Sequence, residues 1–490
     1  REERLRGYQK IDAIERAGGT ASRAVFFSGL IVVLALSAML IVPNTIFRSL
    51  GLGMMVVVIV AVAAALTLLP AVLSIMGDGV NRLRVRKQPT DPDRKGTIWD
   101  RIGGAVIARP VVSMVLAVGL LLFFASFYLK LETGFSGVTT LPEEVPSRQA
   151  FDILAADFPG GLSTPVEIVV DGEITPEVTD AIASLQSAMA ESDAFAESTV
   201  TLNEAGDLAL ISAPLTADFQ AQGSADAVVL LRNETIPEAF DGIEVAVLVG
   251  GGAAFNVDFF DDARGAQPVV FIWVLGLAFV LLTIMFRSVV ISLTSILMNL
   301  LSVGAAYGLV VLFFQAGVGP EIFKDISSLF GFVAVDAIEA WLPLMLFSIL
   351  FGLSMDYQIF LLSRIKEHHD KNGDTTEAVS HGIRSTGAII TGAALIMVAV
   401  FGGFALGDLA PLQQMGFGLA VAVLIDATVV RMVLVPASMK LLGEYNWYLP
   451  SWLEWMPSFS FEPAERQPVS AAAVSEGGEG PESDDQGLPA

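Results

Sequence analysis

Residues 341–363 read WLPLMLFSILFGLSMDYQIFLLS, an apolar run whose only charge is Asp356. At 1.5 Å per residue it covers about 30 Å of hydrocarbon, so it reads as a membrane span. The same reading extends outward in both directions. Residues 24–42, 49–76, 111–129 and 265–286 contain no Asp, Glu, Lys or Arg; 288–320 is uncharged and holds one span plus an outer loop; 385–407 is uncharged; and 412–440 carries only Asp426, Arg431 and Lys440. The spacing predicts eight spans. The composition agrees, with 53% apolar and 16% charged residues and a mean hydropathy of +0.65, which excludes an ordinary soluble enzyme.

The net charge of −24 argues against a nucleic-acid partner, because phosphate backbones are held by clustered positive charge. The chain has no Cys, which removes disulfide and thiolate chemistry, and its three His, at 368, 369 and 381, leave little for a metal site. No cofactor or ATP site is expected. If the first residues are cytoplasmic, 21 Lys and Arg fall on the inside, against Arg48, Lys130, Arg148, Arg232, Arg264 and Lys324 outside. That bias fits the positive-inside rule and places both ends of the chain in the cytoplasm.

This topology divides the chain into two helices ending a first transmembrane half (1–80), a cytoplasmic linker (81–109), a span (110–131), an extracytoplasmic domain (132–265), five further spans (266–443) and a largely disordered acidic tail (444–490). The outer segment carries 24 acids and three Arg. Strands are predicted at 166–172, 205–214 and 244–251, with helices at 175–190 and 222–231 and a short amphipathic helix at 253–262 leading back to the membrane. This pattern reads as an α+β module of ferredoxin-like type. In the linker, RLRVRKQPTDPDRK at 82–95 reads as a basic flank that fixes topology or holds anionic headgroups. PSWLEW at 450–455 reads as an interfacial patch.

An internal repeat links the two ends of the chain. Gly51-Leu52-Gly53 matches Gly416-Phe417-Gly418, Leu69-Pro70-Ala71 matches Val435-Pro436-Ala437, and Gly77 matches Gly443, at offsets of 365 to 366. On this reading a first copy of the 341–363 span precedes Arg1, and an N-terminal half is missing. Duplicated halves around a central route are a transporter organisation.

Intramembrane charges point to the working parts. An Asp in mid-span costs about 2.5–3.5 kcal/mol on insertion scales, so Asp356 needs a polar surrounding or a proton. Desolvation lets such a carboxylate change protonation as access alternates between sides. Ser348 and Gly352 share its helix face at i, i+4, i+8, and the glycine lets a neighbouring helix approach. Tyr357 can offer its hydroxyl to a carboxylate across the helix interface. Asp426 and Arg431 lie five residues apart, about 140° around an α-helix, so no salt bridge is expected within the helix and each should meet a different neighbour. Arg431, nearer the end of its span, is long enough to snorkel. Thr386, Thr391 and Thr428 offer hydroxyls, although such residues commonly bond their own helix carbonyls. Pro343 reads as a first-turn proline, and Asp374 or Thr375 as a helix cap.

FGLSMDYQIFLLSRIKEHH at 351–369 and GFGLAVAVLIDATVVRMVLVPASMKLLG at 416–443, with FFSGLIVVLAL at 26–36, resemble the MMPL transporters (mycobacterial membrane protein large), a branch of the resistance-nodulation-division superfamily. The resemblance covers about residues 1–445. It implies a proton-driven exporter of lipids or other hydrophobic molecules in the inner, cytoplasmic membrane, a secondary active transporter rather than an enzyme. A full member has twelve spans and two porter domains, of which this chain would hold spans five to twelve and the second domain. The resemblance makes Asp356 and Tyr357 one proton-relay pair and Asp426 a further relay member; Gln358, Thr391 and Arg431 are read beside them as supporting polar groups. Many relatives carry Glu where this chain has Gln358, which removes one titratable group. Two alternatives remain at this point: a membrane scaffold recruiting envelope-assembly proteins, and a sterol-sensing-like lipid regulator.

Overall fold

The computed structural model describes residues 9–77, 98–157 and 164–456; within its helices some side chains, that of Asp356 among them, also lie outside the described residues. The basic stretch 82–95 and the acidic tail beyond 456 fall outside them too.

Among the described residues, seven helices are long and apolar enough to cross a membrane: Thr45–Met76, Pro110–Lys130, Gly252–Phe286, Val289–Phe314, Leu342–Asn372, Thr375–Ala405 and Ala410–Trp447. The eighth expected span, 24–42, coincides with a shorter apolar stretch, Val25–Leu40. It ends helix α1 (Lys10–Leu36) and the 3-10 turn that follows. The remaining helices are α2 (Thr45–Met76), α3 (Ile98–Ala108) and α4 (Pro110–Ser126), then α5 (Pro146–Asp157), α6 (Pro176–Glu191) and α7 (Gln222–Leu230) in the mixed domain. They are followed by α8 (Gly252–Phe286), α9 (Val289–Phe314), α10 (Glu321–Leu329), α11 (Leu342–Asn372), α12 (Thr375–Ala405), α13 (Ala410–Ile425) and α14 (Val435–Leu442). Apolar side chains of the spans form one continuous core.

Two boundaries differ from the sequence reading. The helix expected at 253–262 is continuous with the span after it, so α8 is a single rod of about 52 Å at 1.5 Å per residue. The spans expected at 341–363 and 385–407 run on past their apolar stretches: α11 reaches Asn372, Gly373 takes the left-handed conformation at φ 71°, and Asp374, one of the two residues read as a cap, caps α12. Its carboxylate accepts the N–H of Thr376 at 2.7 Å and of Glu377 at 3.2 Å. These backbone donors hold the Asp374 carboxyl below the usual carboxylate range. Pro343 sits in the first turn of α11.

The mixed domain contains four antiparallel strands, β2 (Val166–Asp171), β3 (Thr199–Leu202), β4 (Leu208–Ala213) and β5 (Ala246–Gly250), in spatial order β3-β4-β2-β5. Strand β3 escapes the sequence reading although Thr199-Val200-Thr201-Leu202 alternates; it is only four residues long, and its apolar face, Val200 and Leu202, is exposed. Its partnership rests on the turn, where the Asn203 side-chain oxygen accepts the N–H of Asp207 and of Leu208. Val166, Ile168, Val170, Ile211 and Ala213 bury one face of the sheet against Val178, Ile182 and Leu185 of α6. A separate two-residue parallel ladder joins β1 (Thr133–Gly134) to β6 (Ile338–Glu339), at the root of the domain and the start of α11.

The sequence repeat has a geometric counterpart. A Cβ on Gly51 would stand 2.7 Å from Met39 Cβ and 3.5 Å from the Leu36 carbonyl; one on Gly416 would stand 2.8 Å from Phe404 Cβ and 2.6 Å from the Phe401 carbonyl. The contacted residues keep the same offset as the glycines. Gly77 and Gly443 end α2 and α14 with nearly identical backbones, φ 53°, ψ −130° and φ 51°, ψ −126°.

Candidate functional site

Helix α11 carries polar residues on two faces. One face meets α1: Ser348 Oγ donates to the Leu344 carbonyl at 3.1 Å and lies 3.7 Å from Met39 Sδ, while a Cβ on Gly352 would stand 3.3 Å from Val32 Cα. The close helix approach read from this spacing is therefore made by α1. Asp356 follows one turn further along α11 by backbone phase. Tyr357 donates to Met397 Sδ on α12 at 3.1 Å.

The other face meets α9 and the end of the last span. There the chain runs as a π-helix from Asp426 to Leu434. A π-helix closes i→i+5, so residues five apart stand one above the other. Arg431 therefore lies directly on Asp426, with Nη2 at 2.9 Å and Nε at 3.3 Å from Oδ2. This corrects both expectations for the pair. The salt bridge within the helix exists, because the assumed turn of 100° per residue does not apply there. Arg431 is wholly buried instead of reaching for the surface.

Four neutral residues complete the enclosure. The Arg431 guanidinium donates to Gln358 Oε1, to the Ser354 carbonyl and, at 3.0 Å, to Ser354 Oγ. Ser354 Oγ also lies 3.0 Å from Asp426 Oδ1 and 2.8 Å from the Asn299 side-chain amide. Gln358 Nε2 donates to Ser295 Oγ at 2.8 Å. A hydroxyl has one proton, so Ser354 cannot donate to both Asp426 and Asn299 Oδ1. Turning the Asn299 amide lets Nδ2 donate to Ser354, which then donates to Asp426, and it relieves the otherwise unpartnered Nδ2. Among the described residues the cluster brings together one carboxyl group and one guanidinium, inside the bundle.

A cavity of about 20 Å³ lies beside it, lined among others by Asn299, Ser302, Ser354, Tyr357 and Asp426. That is room for about one water. Tyr357, next in sequence to Asp356, thus borders the same small, mostly apolar-walled cavity as Asp426. Thr391 takes no part: its hydroxyl bonds the Gly387 carbonyl of its own helix at 2.7 Å, as Thr386 and Thr428 bond Gly382 and Leu424. Sequence reading missed Ser295, Asn299 and Ser354. The first two belong to a stripe, Ser292, Ser295, Asn299 and Ser302, whose 3-4-3 spacing puts them on one face of α9.

Replacing Gln358 by Leu strands Arg431 Nη1 and Ser295 Oγ while the ion pair survives. The expected loss of stability is about 1.5–3 kcal/mol, read by chemical denaturation in detergent.

The MMPL family profile matches residues 1–113 and 139–455. The chain belongs to the MMPL family. Among curated relatives, this MMPL chain is 34% identical over 453 residues to membrane protein YdfJ of Bacillus subtilis, covering 91% of itself and 60% of that protein. It is 33% identical over 471 residues to the mycolic acid-containing lipids exporter MmpL11 of Mycolicibacterium smegmatis, covering 94% of itself and 48% of that protein. It is also 33% identical over 470 residues to the heme uptake protein MmpL11 of Mycobacterium tuberculosis, with the same 94% and 48% coverage. The MMPL chain thus spans about half to three fifths of the length of these relatives.

Proposed function

We propose that this MMPL chain is part of a secondary active transporter that uses the proton gradient to export lipids or other hydrophobic molecules across the cytoplasmic membrane. The observation that carries the reading is the enclosed Asp426–Arg431 pair, whose Asp426 borders a small cavity also lined by Tyr357, the neighbour of Asp356. A purely structural core gains nothing from such a pair, since well-packed apolar residues are often as stable. A scaffold or sterol-sensing-like regulator leaves the pair unexplained. One proton crossing 100 mV releases about 2.3 kcal/mol, enough to bias a conformational step.

The reading includes eight spans with both chain ends in the cytoplasm, supported by the Lys and Arg bias. The mixed domain is assigned as a ferredoxin-like porter domain, supported by its four-stranded antiparallel order. A preceding half, supplying a partner for the Asp356 helix, is supported by the equivalent contacts of Gly51 and Gly416 and by the relatives' greater length. The lipid cargo follows the relative named as a lipid exporter. The relative named for heme uptake favours a second reading, inward movement of a hydrophobic cargo.

The test is movement of a fluorescent lipid by the full-length protein in liposomes under an imposed pH gradient. The proposal expects outward movement that a protonophore abolishes. Movement indifferent to the gradient contradicts it, and gradient-driven movement in the opposite sense favours uptake.

A further inference from the structure

Glu339 is a buried carboxylate outside the Asp426 cluster, 3% exposed, on the two-residue strand β6 just before α11. Its two oxygens have different partners, one on a distant segment and one two residues along its own. Oε1 accepts the backbone N–H of Ser136, at the root of the mixed domain, at 2.7 Å. Oε2 accepts the indole N–H of Trp341, at the head of α11, at 3.0 Å. The Glu339 backbone N–H donates to Gln414 Oε1 on α13 at 3.1 Å. The parallel ladder adds Ile338 N–H to the Glu132 carbonyl and Ala340 N–H to the Gly134 carbonyl, at 2.8 and 2.9 Å.

No Lys or Arg pairs with Glu339 among the described residues, and both side-chain donors are neutral. A buried carboxylate held by neutral donors is costly, and a hydrophobic side chain would fill this place more cheaply. Ser136 Oγ and Gln414 Nε2, both buried, have no hydrogen-bond partner among the described residues. The joint is therefore not a fully satisfied structural knot. What the carboxylate does that no apolar residue can is tie its own segment, through Oε1, to the distant backbone of Ser136, while Oε2 is held in place by the neighbouring Trp341.

We infer that Glu339 is a positioning residue for transport: it fastens the root of the mixed domain to the head of α11, so that displacement of the helix carrying Asp356 moves the domain. The inference rests on the transporter reading, and it adds the residue through which the two parts are coupled. The span before the domain, ending at Lys130, and α11, beginning at Leu342, are held as a pair by this contact. Without it, the described links between β1 and β6 are only the short backbone ladder.

The experiment uses the full-length protein carrying Glu339→Gln. Glutamine offers one acceptor to two donors: with its oxygen on the Trp341 N–H, its NH₂ faces the Ser136 N–H, donor against donor, and the bond to the root of the mixed domain is lost. Two readouts are taken. Amide hydrogen exchange at 132–136 and 337–341 is expected to rise together by about tenfold or more while α9 stays as protected as in the parent. Lipid moved per proton is expected to fall about tenfold or more while proton uptake continues, a separation that simple loss of folded protein does not produce. Adding Trp341→Phe removes the competing donor and should restore part of the exchange protection. Ser136→Pro, which removes the backbone N–H that Glu339 holds, carries the same test if Glu339→Gln does not accumulate. Unchanged exchange, or an unchanged lipid-to-proton ratio in a folded variant, overturns the inference. If the parent moves no lipid, the transporter reading fails with it, and the exchange measurement still decides whether Glu339 holds the joint.

Discussion

Arg431→Met is expected to cost about 3–5 kcal/mol of folding stability, because it leaves the buried Asp426 carboxylate without a counter-charge. The guanidinium is wholly enclosed, and its removal also strands Gln358 Oε1 and the third contact of Ser354. Methionine keeps much of the volume, so the loss is electrostatic rather than a cavity effect. The double variant Arg431→Met with Asp426→Leu should recover most of the loss, since it removes the uncompensated charge together with its partner. Denaturant titration of the two single variants and the double variant in detergent gives the coupling energy directly. Additive losses would mean that the pair does not act as one unit.

The second large effect is expected at Gly416. Its added Cβ would meet the Ala405 nitrogen at 2.5 Å and the Phe401 carbonyl at 2.6 Å, both backbone atoms that cannot rotate away. Gly416→Ala therefore forces α12 and α13 apart, at a cost of about 1–3 kcal/mol or more. Gly51→Ala is expected to act in the same direction, but less strongly. There the nearest atom is Met39 Cβ at 2.7 Å, and the carbonyl of Leu36 is 3.5 Å away. Gly53→Ala is the control, with nothing within 4 Å of its Cβ. Thermal aggregation midpoints of the three variants test the order Gly416, Gly51, Gly53, the last close to the parent.

The spans were legible because an uncharged run long enough to cross hydrocarbon is rare in a chain folded in water, and Ser348 and Gly352 because α-helical spacing holds along α11. The Asp426–Arg431 bond was not legible. Nothing in DATVVRMVL marks a π-helix, and the pairing depends on that one change of helical pitch. The four-stranded sheet was three-quarters visible: β2, β4 and β5 each carry at least four apolar residues, whereas β3 offers only Val200 and Leu202 alternating with threonines. Ser354 was missed for another reason. Its importance comes from standing between Asn299, Asp426 and Arg431, three residues from two distant segments, and no spacing along one helix reveals such a meeting. Glu339, set in an ordinary turn-like stretch, is likewise revealed only by its partners.

The central claim is that a proton taken up beside the α11 face drives movement of a hydrophobic cargo. Its most direct test compares the full-length parent with Asp356→Asn in liposomes under an imposed pH gradient, following lipid and protons together. Asn keeps the shape of Asp but cannot exchange a proton in this range. The account predicts that Asp356→Asn folds and inserts like the parent yet loses gradient-driven lipid movement and the accompanying proton flux. An Asp356→Asn protein that moves lipid at the parent rate under the same gradient would contradict it.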